Sequence, residues 1–230
     1  MNKYLKLIVI CVLLLVFDAW SANEDTIEIG NIAISIPDSV GLKNAASKSP
    51  KLVKFSSSFI GKGYRFLAIF ASPNIIAESK ISDPASMYFH HYAIASTLAQ
   101  TENLQTSKLD FEKIQNKIQQ GLGSVNINEI LKTVNESSQV KNSRVAIDNA
   151  EIKGMISKST NHFSFGISSV TSSNDGSLNP RGYGITNYLL IKGKIVCINF
   201  YYSEIKISEI ARANKESSIW MDEILKSNGI

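Results

Sequence analysis

The sequence has few of the residues that build covalent cross-links or metal sites: 230 residues include only two cysteines and three histidines. Cys11 lies in an apolar N-terminal run, so removal of that run would leave Cys197 without an intramolecular disulfide partner. The surroundings of Cys197, "KIVCINFYY", are typical of a core strand. We therefore expect its thiol to be buried and inert.

Hydrophobic runs long enough to cross a membrane are missing as well. The apolar run from Leu7 to Phe17 is about half the ~20 residues that a spanning helix needs. Lys3 and Lys6 precede this run and small residues follow it, which is the layout of a secretory signal peptide. We expect cleavage before Ala22, or one residue later, so residues 1–21 are predicted to be a signal peptide and residues 22–230 a single domain. This predicts export to the periplasm or the cell exterior.

Motifs for nucleophilic catalysis and nucleotide binding are incomplete. The segment "GLGSV", residues 121–125, lacks the closing glycine of a nucleophile elbow. Residues 61–66, "GKGYRF", lack the spacing of a phosphate-binding loop. The net charge of +4 is mild, so it does not by itself indicate nucleic acid. We predict no catalytic residue, no cofactor and no nucleic-acid partner, although carboxylates that meet only in the fold would leave an enzyme possible.

Two adjacent histidines lie in "MYFHHYAIAST", residues 87–97. If this segment is a strand, His90 and His91 point to opposite faces of the sheet and cannot bind one ion together. The only other histidine, His162, is predicted to lie beside a hairpin turn. We therefore expect no metal site and interpret the histidines as hydrogen-bonded parts of a sheet. A proton-sensing or ligand-contact role stays open, because imidazole titrates near neutral pH.

Alternating apolar residues predict that the chain is rich in strands. In "TIEIGNIAISIP" the Gly30-Asn31 pair separates two such runs, which favours a hairpin, and Pro37 ends the second strand. Further strands are predicted in "YRFLAIFAS", "MYFHHYAIAST", "NAEIKGMISK", "FSFGISSVTSS" and "ITNYLLIKGKIVCINFYY", the last with a turn at residues 192–194. We interpret the segment between the first two of these, around Pro73 and Pro84, as turns.

Helical periodicity is found in three places. Apolar residues recur on one face from Phe111 to Leu122, a capping pattern begins at Asn126, and a terminal stripe follows Ser208. Strands joined by hairpins, with amphipathic helices between and after them, predict an α+β fold with a mostly antiparallel sheet and helices packed on it.

The order of elements resembles the PsbP-like fold, which occurs in an extrinsic photosystem subunit and in exported bacterial proteins. The segment "IGNIAISIP" is similar to the opening strand of that fold. The segment "YLLIKGKIVCINFYYSEIKISEIARANKESSIWMDEIL" is similar to its paired strands and final helix. This resemblance implies PsbP-like topology and a binding or docking module without catalytic activity.

The strongest charge asymmetry lies between Ser39 and Ala77, where there is no acidic residue. Six cations fall in this segment: Lys43, Lys48, Lys51, Lys54, Lys62 and Arg65. We predict that they contact an acidic protein, an acidic glycan or an anionic membrane surface. The alternative is a solvated surface whose lysines maintain solubility.

A second predicted contact is the long polar loop of residues 173–184. Arg181 and Tyr183 in this loop suit the recognition of a planar or anionic group, and a plain surface loop is the alternative. Taken together, these features predict an exported binding module. The alternatives are a secreted hydrolase whose site assembles only in the fold, and a structural subunit of an envelope assembly.

Overall fold

A computed structural model describes residues 26–39, 41–122, 145–173 and 181–230. The predicted signal peptide, the helix predicted from Asn126 and the greater part of the 173–184 loop lie outside these residues. The elements are β1 (Thr26–Ile29), β2 (Ile32–Ser35), β3 (Lys43–Asn44), α1 (Pro50–Ser57), β4 (Tyr64–Ala71), α2 (Pro73–Ile81), β5 (His91–Leu98), α3 (Lys108–Leu122), β6 (Val145–Lys158), β7 (His162–Ser173), β8 (Gly182–Ile191), β9 (Lys194–Tyr202) and α4 (Ile210–Ser227).

Seven of the strands form one sheet in the order β3-β4-β5-β9-β8-β7-β6, and every neighbouring pair is antiparallel. The strands β1 and β2 form a separate hairpin. This confirms the predicted α+β fold with a mostly antiparallel sheet. Within the described residues, no helix combines the length and the apolar character needed to span a membrane.

The hairpin turns follow from backbone conformations that few residues adopt. Gly30 and Asn31 both have positive φ, at 51° and 67°, as a two-residue turn of this kind requires. Lys192 and Gly193 repeat the pattern at 49° and 77° between β8 and β9. Both turns match the positions that the sequence predicts.

The main core lies between one face of the sheet and α4, with the β1-β2 hairpin closing its side. Side chains from β9, such as Ile198 and Phe200, meet Trp220 and Met221 of α4 here. The buried stripe of α4 consists of Ala213, Ser217, Trp220, Met221 and Ile224. The amphipathic pattern after Ser208 therefore predicts the buried face of this helix correctly.

The opposite face of the sheet carries two further clusters. In the first, Phe111 of α3 packs on Phe163, Tyr188 and Cys197. In the second, Leu52 of α1 and Ile76 of α2 pack with Ile69, Ala71 and Ile94. Cys197 is 1% exposed, which confirms the expected burial of the thiol, and burial raises its pKa.

Two helices, α1 and α2, lie in segments for which the sequence predicts a surface and a turn. The segment around Pro73 is not a turn, because Ser72 caps α2 by accepting a hydrogen bond from the Ile75 backbone N–H at 3.4 Å. The basic segment likewise contains α1, whose cap Ser49 accepts from the Leu52 N–H at 3.3 Å. In both cases a serine followed by proline begins a helix, since proline at the first helical position loses no hydrogen bond.

Candidate functional site

A surface groove runs along one face of α2. Its volume is about 410 Å³. The α2 wall presents Pro73, Ile76, Ala77 and Lys80, which lie at helical spacings of three and four residues. The opposite wall presents Asp38, Lys43 and Lys48, from the segment that leads through β3 to α1. The groove thus combines an apolar strip with three cations and one carboxylate.

A buried hydrogen bond fixes the two walls relative to each other. The Ser79 hydroxyl on α2 donates to the hydroxyl of Ser49, the cap of α1, at 2.6 Å. Both serines are buried, at 0% and 1% exposure. At the exposed end, the Lys51 ammonium donates to the backbone carbonyl of Lys80 at 3.3 Å. These bonds hold α2 to the start of α1, next to Lys48 of the opposite wall, and a preformed groove lowers the entropic cost of binding a ligand.

Asp38 organises the second wall of the groove. One carboxylate oxygen accepts the Asn44 backbone N–H at 2.7 Å, and the other lies 3.2 Å from the Lys43 ammonium. Both side chains are partly solvated, so this ion pair contributes at most about 1 kcal/mol to folding. An anionic ligand would compete with Asp38 for Lys43.

The structure separates the predicted basic residues into three groups. Lys43 and Lys48 line the groove, and Lys51 supports its end. Lys54 and Lys62 are exposed but do not line the groove. Arg65 is already engaged: its guanidinium lies 2.7 Å from the Glu102 carboxylate and donates to the Glu28 carbonyl at 2.8 Å.

The two residues predicted from the long loop are placed differently from each other. Tyr183 is only 2% exposed, and its hydroxyl donates to Asn214 of α4 at 2.8 Å, so it packs in the core. Arg181 is half-buried at the start of the last described segment, and its backbone carbonyl accepts from Ile205 at 3.0 Å. Neither residue lies among those that line the groove.

Sequence reasoning missed four residues of the groove, all on α2: Pro73, Ile76, Ala77 and Lys80. The signal that could have found them is the Ser72-Pro73 pair, which marks a helix start as clearly as it marks a turn. Asp38 was also missed, because it directly follows Pro37 at the end of the second predicted strand and precedes the basic segment.

The histidines do not meet at one site. His90 precedes β5 and is exposed, with its ring 4.4 Å from the Tyr88 ring. His91 begins β5 and stacks on Tyr202 at 4.2 Å. His162 is buried near Asn187, with 3.2 Å between its Nε2 and the amide oxygen. Within the described ranges, histidine, cysteine and carboxylate side chains do not gather in the groups of three that would hold a metal ion.

Comparison with known proteins gives only a weak likeness. No family model and no curated protein matches the sequence. A crystal structure of the Saccharomyces cerevisiae Ran-binding protein Mog1p is similar with a TM-score of 0.30 and 9% identity, over 85% of this chain and 86% of that chain. A mutant of Mog1 gives a TM-score of 0.33 and 11% identity, over 88% and 91% of the two chains. TM-scores this low give this chain neither a partner nor an activity.

These findings correct three predictions. Both matching structures are of Mog1, and neither is a PsbP-like protein, so only a distant resemblance of fold is supported. The comparisons do not support the predicted exported binding module or its secreted-hydrolase and envelope-subunit alternatives: the structures found are of Mog1, one of them described as a Ran-binding protein, and these predictions are not retained. The predicted periplasmic or extracellular location likewise gains no support from the comparisons and is not retained. It depended on the hydrophobic zones of residues 1–21, which lie outside the described residues.

Proposed function

We propose that this chain is a protein-binding domain, and that the groove along α2 holds an acidic segment of its partner. The observation that carries the proposal is the composition of the groove, in which cations flank an apolar strip on two walls tied together by a buried hydrogen bond. A peptide supplies both carboxylates and apolar side chains. This favours an acidic protein over the other two predicted partners, since a glycan offers little apolar surface and a flat membrane does not enter a groove.

The two parts of the groove both contribute to binding. Ile76 is only 5% exposed, so an apolar side chain of the partner would pack mainly on Pro73 and Ala77. Its partial burial there contributes less than the roughly 1.5–3 kcal/mol of full burial. Each solvated ion pair with Lys48 or Lys80 adds about 0.2–1 kcal/mol. The apolar strip and the cations therefore contribute to the affinity to a similar extent, and the cations also select acidic sequences and speed association.

A displayed library of short random peptides tests this function. We expect selection on the wild-type domain to enrich peptides that combine aspartate or glutamate with an apolar residue. The double variant Lys48→Gln/Lys80→Gln should bind the selected peptides about two- to thirtyfold more weakly, because two ion pairs together are worth about 0.4–2 kcal/mol. Fluorescence anisotropy at low and moderate salt measures the affinities.

The matched control is Lys108→Gln/Lys117→Gln, which removes the same charge from exposed positions on α3. Its affinity should equal that of the wild type. An equal loss in both double variants would mean that only the net charge matters, and enrichment of neutral or basic peptides would refute the proposal. Circular dichroism confirms that all variants fold.

Asp38 gives a test with the opposite sign. The variant Asp38→Asn keeps an oxygen that can accept the Asn44 N–H but removes the charge that competes for Lys43. We expect peptide affinity to rise about threefold, since one solvated ion pair is worth about 0.6 kcal/mol. Titration calorimetry with one selected peptide measures the change. A lower affinity would contradict this expectation, because it would show that the Asp38 carboxylate maintains the shape of the groove and does not compete with the peptide for Lys43.

Arg181 stays a separate predicted contact. It is half-buried, lies outside the groove and belongs to a loop whose other residues are mostly not described. The proposal does not depend on it, nor on Arg65 and Tyr183, whose side chains are engaged within the fold.

A further inference from the structure

Three aromatic side chains form a row across the sheet beneath the N-terminal half of α4. His91 of β5 lies directly opposite Tyr202 of β9, and Tyr202 lies directly opposite Tyr183 of β8. The His91 ring stacks on the Tyr202 ring with 4.2 Å between centroids and 13° between planes. His91 is in register with Ala93 and Ala95, which face α4, so the row belongs to the main core.

Two members of this row are half-buried, and each has one polar side-chain atom that is buried and unsatisfied. Nε2 of His91 and the hydroxyl of Tyr202 are inaccessible to solvent and have no hydrogen-bond partner. Among the residues described, these two are the buried polar side-chain atoms that lack a partner. The third member differs, since the Tyr183 hydroxyl donates to Asn214 of α4. An unsatisfied buried polar atom costs roughly 1–3 kcal/mol, so the packing above this row is locally weakened.

The charged groups around His91 oppose its protonation. Burial, and after it the charge of Arg212 on α4, lowers the pKa of the His91 imidazole from 6.5 to about 4. Arg212 itself lies between Glu209 and Glu216, at 3.6 and 4.0 Å. On the sheet side, the titratable neighbours are Tyr202 and Tyr183, and burial raises the pKa of both.

We propose that protonation of His91 releases the N-terminal half of α4 from the sheet. In the closed state the imidazole is neutral and stacked on Tyr202, and its buried Nε2 has no hydrogen-bond partner. When Arg212 and the first turns of α4 lift from the sheet, the ring gains water and loses the facing cation, so the open state binds the proton. Acid therefore populates the open state.

The direction and size of the effect follow from linkage. The folded-state pKa lies below the value of 6.5 for an exposed ring, so the closed state is favoured above pH 6.5 and loses that advantage as the pH falls toward about 4. Between pH 7.5 and pH 4.5 the equilibrium constant for opening should rise about 20- to 100-fold.

Hydrogen exchange read by mass spectrometry tests the proposal. After correction for the intrinsic pH dependence of exchange, protection of residues 210–217 should fall between pH 7.5 and 4.5 much more than protection of β8 and β9. The variant His91→Phe keeps the stack on Tyr202 but cannot bind a proton, so its protection should not depend on pH in this way. The neighbouring exposed His90 provides the matched control, and His90→Gln should behave as the wild type does.

A surface variant covers the case in which His91→Phe does not fold. Arg212 is 69% exposed, so Arg212→Gln leaves the core intact, and it should reduce the acid response because the facing cation is gone. His162 is buried under the other half of α4, near Asp222, and burial lowers its pKa. Acid exchange that begins at residues 218–227, or equal loss of protection across the sheet, would assign the response to His162 or to global unfolding and overturn the proposal.

Discussion

Replacing Trp220 by alanine should lower the free energy of unfolding by about 3–5 kcal/mol, the range found for large aromatic residues in cores. Trp220 is 1% exposed. Its ring meets the Phe70 and Phe200 rings edge to face, at 5.0 and 5.1 Å. Its indole N–H donates to the Pro37 carbonyl at 2.8 Å, so the substitution also removes the donor that holds the end of the β1-β2 segment.

Urea unfolding followed by circular dichroism measures this loss as a lower midpoint at unchanged slope. The control is Ile219→Ala, one residue earlier on the same helix, where the side chain is 46% exposed. Its cost should stay below about 1 kcal/mol. If both variants lose the same stability, α4 contributes through helix propensity and not through the packing of Trp220.

Replacing Gly30 by alanine should lower the free energy of unfolding by about 3 kcal/mol, through two separate causes. A positive φ costs an L-residue about 1–2 kcal/mol, and φ at Gly30 is 51°. In addition, a Cβ at this position would lie 2.2 Å from the backbone carbonyl oxygen of Glu102. That carbonyl cannot move easily, because it accepts a hydrogen bond from the Lys194 ammonium at 3.0 Å. The Glu102 side chain is held as well, by its ion pair with Arg65.

Gly41 separates these two causes. Its φ is also positive, at 79°, but a Cβ there would meet nothing within 4 Å. Gly41→Ala should therefore cost only the conformational term of about 1–2 kcal/mol. The difference between the two variants in urea unfolding measures the contact between the hairpin and the Glu102 carbonyl. Equal losses would show that the hairpin shifts without cost.

Much of the fold follows from local patterns in the sequence. Alternation of apolar residues predicts the strand around Ile34. Aromatic and branched residues predict the strands around Ile69 and Ile198, which are buried on both faces of the sheet. The turns at Gly30-Asn31 and Lys192-Gly193 are predicted because residues with positive φ are needed between paired strands. The burial of Phe111 follows in the same way from helical spacing. Helical spacing puts Trp220 only beside the apolar stripe of the terminal helix, and the structure buries it fully.

The helices α1 and α2 were not predicted, for an equally local reason. Serine, proline and asparagine near Ser49 and Ser72 occur both in turns and at helix starts, and α2 has little amphipathic contrast because it contacts the core on one side and the groove on the other. Its identity as a helix depends on Ile76 packing against Ile69 and Ile94 of the sheet. Such contacts lie outside any sequence window.

The sequence by itself determined the strand pattern, the two hairpin turns, the buried stripe of α4 and the presence of a basic segment around Lys43 and Lys48, because each depends on residues close together in the chain. Only the tertiary structure decided which cations share a surface. It brought Lys80 and Asp38 to the groove, engaged Arg65 with Glu102, and buried Tyr183. Those outcomes depend on contacts between distant segments, and their geometry is set by how helices pack on a sheet rather than by the order of residues.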